Sequence, residues 1–182
     1  KALDPSQAGA YATLSHLYAN LPSKSMVDVI LAASQALEKD AYLSNADAVL
    51  NRLAHATYDL GQFPDADKWC REGQRRFPAD YRFVECELLL MTSKYVPADP
   101  STAPARAWAL ADSVVALTPD PRDQRYERLY TRVLVAGVLA RAGLMDSAKS
   151  VLRSSKVDPE VDPSHDLAFT AAFIWTLAGD TT

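Results

Sequence analysis

Apolar residues recur every three to four positions along most of this chain, the spacing of one buried face on a helix. The clearest stretch is 50–78. Leu50, Leu53, Ala54, Thr57 and Leu60 lie on one face of a helix. Gly61 ends it, because glycine readily takes the left-handed conformation of a C-terminal cap. Pro64 opens a second helix, where its missing N–H costs nothing. Ala66, Trp69, Cys70 and Gly73 continue one face of that helix, and the small Ala66 and Gly73 allow close approach of its partner. Phe77-Pro78 stops the unit, since a residue before proline avoids the helical region.

The same pattern returns further on. Leu134, Val135, Leu139 and Gly143 repeat the first helix and its stop. Ala148, Val151 and Leu152 repeat the second, closed by Asp158-Pro159. The intervals from Gly61 to Pro78 and from Gly143 to Pro159 are nearly equal. A further first helix follows with Ala168, Ala171, Ala172 and Trp175, stopping at Gly179, about one two-helix repeat beyond Gly143. Between these units, Phe83, Val84, Leu88 and Met91 predict a first helix. Ala107, Leu110, Ala111, Val114 and Val115 predict its partner, ending at Thr118-Pro119. Pro97, Pro100 and Pro104 place a proline-rich loop at 94–104. Near the start, Tyr11, Leu14, Leu17 and Tyr18 form one helix, and Val27, Ile30, Leu31, Ser34 and Leu37 another. Pro22 divides them, and Ser23 or Ser25 caps the second.

This succession resembles the tetratricopeptide repeat family. Leu53-Ala54, Gly61, Ala66, Gly73 and Pro78 carry the resemblance in one unit. Ala136, Gly143, Ala148 and Pro159 carry it in a second, and Ala171-Ala172, Trp175 and Gly179 in half of a third. Cys70 and Leu152 stand where an aromatic is usual, and Thr57 where a tyrosine is. The resemblance implies an all-α fold, a right-handed α-solenoid of antiparallel helix pairs with about nine helices. The units fall at 6–42, 43–79, 80–120 and 124–161, with a half unit at 164–182, in a single repeat domain. Residues 1–5 look like the end of a preceding second helix, and residues 180–182 stop where the next should begin. A fragment of a longer, bacterial-type repeat protein is therefore expected, with irregular caps as the alternative. Cut ends would leave the apolar face of Phe169, Phe173 and Trp175 needing cover, and self-association there would follow.

Composition narrows the functions. The 182 residues are 48% hydrophobic with a net charge of −4 and a pI near 5.3. An acidic chain is a poor partner for nucleic acid, which needs a basic face. No apolar run is long enough to span a bilayer; 133–140 is too short and is flanked by Arg132 and Arg141. The compartment is open, with the cytoplasm slightly favoured. Cys70 and Cys86 fall inside helical patterns and read as small buried hydrophobes.

Catalytic signatures are missing. The chain has no phosphate-binding glycine loop, nucleophile elbow or His-Glu-x-x-His. His16, His55 and His165 are too dispersed to make a metal set. A Cys70–histidine nucleophile pair has no support in the sequence. The acidic stretch 158–163 lacks the glycine of a calcium loop and reads as a solvated connector, and Asp120-Pro-Arg-Asp123 as a turn and helix start. Lys68, Arg71, Arg75 and Arg76 read as an outer helix face, with an acidic partner as the sharper alternative. No catalytic, cofactor or metal residue is assigned.

In tetratricopeptide proteins the first helix of each repeat lines a concave groove. The resemblance thus implies groove positions at His16 and Asn20, at Asn51, Arg52, His55 and Tyr58, and at Arg82, Glu85 and Leu89. Val133, Gly137 and Arg141 follow, then Phe169 and Phe173. Asn51, Arg52 and Arg82 match the family's carboxylate clamp only in part, since its lysines are missing. The expected function is a non-catalytic scaffold for a protein or peptide segment. The alternatives are an oligomerisation or spacer module of a larger regulator, such as a kinase or transcription regulator, and a helical enzyme with a dispersed site.

Overall fold

A computed structural model describes residues 6–155, 160–162 and 165–177. Nine helices, and no strand, occur among these residues. They are α1 (Ser6–Ala19), α2 (Met26–Lys39), α3 (Ala46–Asp59), α4 (Phe63–Arg76), α5 (Tyr81–Met91), α6 (Ala103–Leu117), α7 (Pro121–Arg141), α8 (Met145–Ser154) and α9 (Asp166–Leu177). The stop expected at Gly179, the closure at Asp158-Pro159, Pro163 and the chain ends at 1–5 and 180–182 lie outside the described residues.

The local signals act where the chemistry requires. Gly61 and Gly143 have φ of 71° and 79°, a conformation that costs glycine nothing. Of the two candidate serines, Ser25 caps α2. Its hydroxyl accepts from the Asp28 N–H while the Asp28 carboxylate accepts from the Ser25 N–H, a reciprocal capping box. That contact holds the Asp28 carboxyl below its ordinary range, through the hydrogen bonds from Ser25. Asp80 and Asp120 cap α5 and α7, accepting from the N–H groups of Arg82 and Arg122. Pro104 sits in the first turn of α6, so the loop ends slightly earlier than its prolines suggest.

The chain divides into two compact units, Lys1–Pro78 and Ala79–Thr182. In the first, α1 packs on α2, α2 on α3, and α3 on α4, and α1 also touches α3. Its core is built from Ala12, Ala33, Ala36, Val49 and Leu53, flanked by Tyr11, Ile30, Leu37, Leu43 and Trp69. Alanines at the helix contacts let the backbones approach closely, and the larger side chains fill the edges.

In the second unit, α7 is the spine. It packs against α5, α6, α8 and α9, and every residue from 133 to 140 along it is buried. Val133, Ala136, Leu152, Leu167 and Ile174 form the core there, with Tyr126, Tyr130 and Trp175 among the side chains packed around it. Gly137 marks a close approach. A Cβ at that position would stand 2.8 Å from Ile174 Cδ1 and 3.2 Å from Thr92 Cγ2. Arg141 donates to the carbonyls of Met91 (2.7 Å) and Val96 (2.9 Å), holding the end of α5 and the loop after it.

Two expectations change. Cys70 and Cys86 are buried, but they are disulfide-bonded rather than free thiols. Oxidation removes the thiolate that a Cys70–histidine pair would require. Asp162, assigned to a solvated connector, is instead fully buried, and its carboxylate accepts from the Ala168 N–H at 3.0 Å in the first turn of α9.

Candidate functional site

On α3, the i, i+1, i+4, i+7 spacing brings Asn51, Arg52, His55 and Tyr58 to one side of the helix, each half-buried. Arg52 Nη1 donates to the Ser15 hydroxyl at 2.8 Å and more distantly to the Ala12 carbonyl, tying α3 to α1. Asn51 Oδ1 is buried without a hydrogen-bond partner. Burial lowers the His55 pKa, which keeps its imidazole neutral at neutral pH. The Tyr58 ring meets Phe63 edge to face, with centroids 5.4 Å apart. His16 and Asn20 are exposed at the end of α1, where Asn20 Nδ2 donates to the His16 carbonyl.

The candidates in the second unit divide sharply. Arg82 clasps the Asp80 carboxylate that caps its own helix. Leu89 and Val133 are buried, and Gly137 is pressed between Ile174 and Thr92. Phe169 and Phe173 behave differently: they are 81% and 56% exposed, one turn apart on α9. Leu167 and Ile174 occupy the buried side of that helix, and Trp175 turns toward the core rather than joining the open face.

Glu85 is buried and hydrogen-bonds to Glu127 on α7, which is also buried. Burial, then the Glu127 charge, pushes the Glu85 carboxyl well above its ordinary range. Burial also raises Glu127, while the hydrogen bond with Glu85 partly opposes the rise. The two carboxyls therefore share a proton: Glu85 donates it and Glu127 accepts. Glu127 Oε2 has no hydrogen-bond partner. Tyr81 and Tyr126 stand near this pair. Burial and the Glu127 charge raise both phenols, Tyr81 to about 12.

The sequence did not reveal a cleft of about 660 Å³ in the first unit, along α2 and α4. Leu37, Leu50, Pro64 and Trp69 provide its apolar wall. Lys68, Arg71, Arg75 and Arg76 stand around it with Asp67 and Glu72. Arg71 pairs with Asp67, and Arg75 with Glu72, in exposed ion pairs along α4. Lys68 Nζ lies 4.5 Å from the Trp69 ring centre. Arg76 donates to the Ala41 carbonyl at 2.7 Å, and its guanidinium faces the Tyr42 and Phe77 rings. Periodicity tells which side of a helix is buried; it does not tell where two helices leave a gap. The legible signal was the run of four cations around a tryptophan.

A smaller hollow of about 270 Å³ lies along α6 and α7, where the Arg132 guanidinium faces Trp108. Among the described residues, no group of three or more histidine, cysteine, aspartate or glutamate side chains is placed to hold a metal ion, and no helix is long and apolar enough to cross a membrane. No protein-family model, curated protein or solved structure matches this chain.

Proposed function

We propose that the chain is a non-catalytic scaffold of stacked helix pairs, a right-handed α-solenoid of the tetratricopeptide kind. It holds a protein or peptide segment on the face made by the first helix of each pair. The observation carrying this reading is the contact between alternate helices: α1 with α3 in the first unit, and α5 with α7 and α7 with α9 in the second. Such contacts set the first helices of successive pairs side by side, which is how an array of pairs makes a continuous binding face. In the first unit, Asn51 and Tyr58, both half-buried, supply polar and aromatic contacts. In the second unit, Phe169 and Phe173 supply exposed apolar anchors.

Arg52 and Arg82 are poor probes, because Arg52 ties α3 to α1 and Arg82 is engaged by the Asp80 carboxylate that caps α5. A better test selects peptides from a random display library and measures binding by calorimetry. Asn51→Ala with Tyr58→Ala, and separately Phe169→Ser with Phe173→Ser, are expected to weaken a selected peptide by about tenfold or more at the face it uses. Unchanged affinity in both folded double variants overturns the reading.

The exposed phenylalanines also favour a second reading, self-association through α9. It predicts a dimer by light scattering that Phe169→Ser with Phe173→Ser converts to monomer; a wild-type monomer at all concentrations excludes it.

A further inference from the structure

We propose that the cleft along α2 and α4 is a second docking site, taking an acidic peptide segment that carries an apolar or aromatic side chain. The cleft runs along α2 and α4 with Leu50 of α3 behind it, and none of its lining residues is among those named for the face described above. Its volume of about 660 Å³ holds one or two large side chains. Leu37 and Pro64 offer dispersion contacts to an inserted side chain, and Trp69 offers a ring.

Charge decides the chemistry of the occupant. Lys68, Arg71, Arg75 and Arg76 outnumber Asp67 and Glu72 around the opening, so this patch is cationic on a chain of net charge −4. The Arg71 and Arg75 side chains of the Arg71–Asp67 and Arg75–Glu72 pairs are 77% and 70% exposed, and ion pairs this open to water on the cationic side add little to stability. Their guanidiniums can therefore turn to a carboxylate brought close to the apolar wall, where a bidentate contact is shielded from water.

The distribution of the cations further separates the candidate ligands. From Lys68 to Arg76 they spread along about 12 Å of helix. A compact anion would need them convergent; a peptide with acidic residues on either side of an apolar one matches their spacing. A nucleic-acid strand would meet Asp67 and Glu72 with its phosphates and would leave Leu37 and Pro64 unused. A lipid surface would need a flat, unmixed basic face rather than a walled cleft.

The test is fluorescence polarisation with a labelled synthetic peptide in which glutamates flank leucine and phenylalanine. Its twin with glutamine for glutamate, an oligothymidylate and phosphatidylserine vesicles serve as competing probes. The acidic peptide is expected to bind, to perturb tryptophan emission, and to release as salt rises. The glutamine twin, and protein carrying Arg71→Glu with Arg75→Glu, are each expected to bind about tenfold more weakly or worse. Circular dichroism checks the fold; if the reversals disturb it, Arg71→Gln with Arg75→Gln decides instead. Asn51→Ala with Tyr58→Ala is expected to leave this binding unchanged, which keeps the outcome distinct from that of the first-helix face. Equal binding by the glutamine twin or by the arginine variants overturns the proposal. So does failure of the acidic peptide to bind, or binding of the oligonucleotide or vesicles in its place.

Discussion

Glu85 and Glu127 place two buried carboxyls within reach of one another. Tyr81, Tyr126, Asp80, Asp123 and Arg82 lie in their field. Their folded pKa values lie above those of a solvated glutamate, so the folded state binds more protons than the unfolded one across that interval. Stability is then complete below the ordinary carboxylate range and falls as pH rises through the folded values. The chain is expected to melt at a lower temperature at pH 8 than at pH 5, and Glu127→Gln to reduce that difference while raising the midpoint at pH 8. Calorimetric melting of both proteins across this range checks the sign; a wild-type midpoint that climbs with pH contradicts it. At Gly137 the limit is steric. Gly137→Val is expected to cost about 1–3 kcal/mol in urea unfolding, because its side chain must displace Ile174 and Thr92.

At the scale of the element, side-chain caps start α2, α5 and α7, and left-handed glycines follow the ends of α3 and α7. Asp80 serves α5 twice, accepting the Arg82 N–H and clasping the Arg82 side chain. Asp80→Ala is expected to destabilise the protein by about 1 kcal/mol, measured as a shift in urea midpoint with unchanged slope. The helix α9 shows how one amphipathic segment serves two ends. Leu167 and Ile174 dock it on α7, while Phe169 and Phe173 remain open. Phe169 and Phe173 are candidates in the sequence through the groove positions that the family resemblance implies, and the structure leaves both open. Spacing does not separate Trp175 from them: it lies next to Ile174 on the helix, and only the packing of α9 decides that its ring is shared with the core.

For the whole molecule, the oxidised cysteines carry the most direct consequence. Unfolding in dithiothreitol is expected to show about 2–4 kcal/mol less stability than unfolding without it, read from urea curves of the two samples. Identical curves would mean that the disulfide contributes nothing. Spacing along a helix reports burial and is silent on the oxidation state of a sulfur, so both cysteines read in the sequence as inert hydrophobes.

Much of the helical order was written in the chain. Three-to-four spacing, the glycines at 61 and 143 and the Asp-Pro and Ser-x-x-Asp starts are local, and local geometry needs only local residues. The pairing of neighbouring helices was legible for the same reason, because short connections leave few other arrangements. Tertiary structure decided the rest. It buried Glu85 against Glu127, tied Arg52 to the Ser15 hydroxyl and spent Arg141 on neighbouring backbone. It also opened a cleft beside Trp69 and put Asp162 under the start of α9. Each of these depends on atoms distant in sequence, and no periodicity along a single helix encodes what stands opposite it.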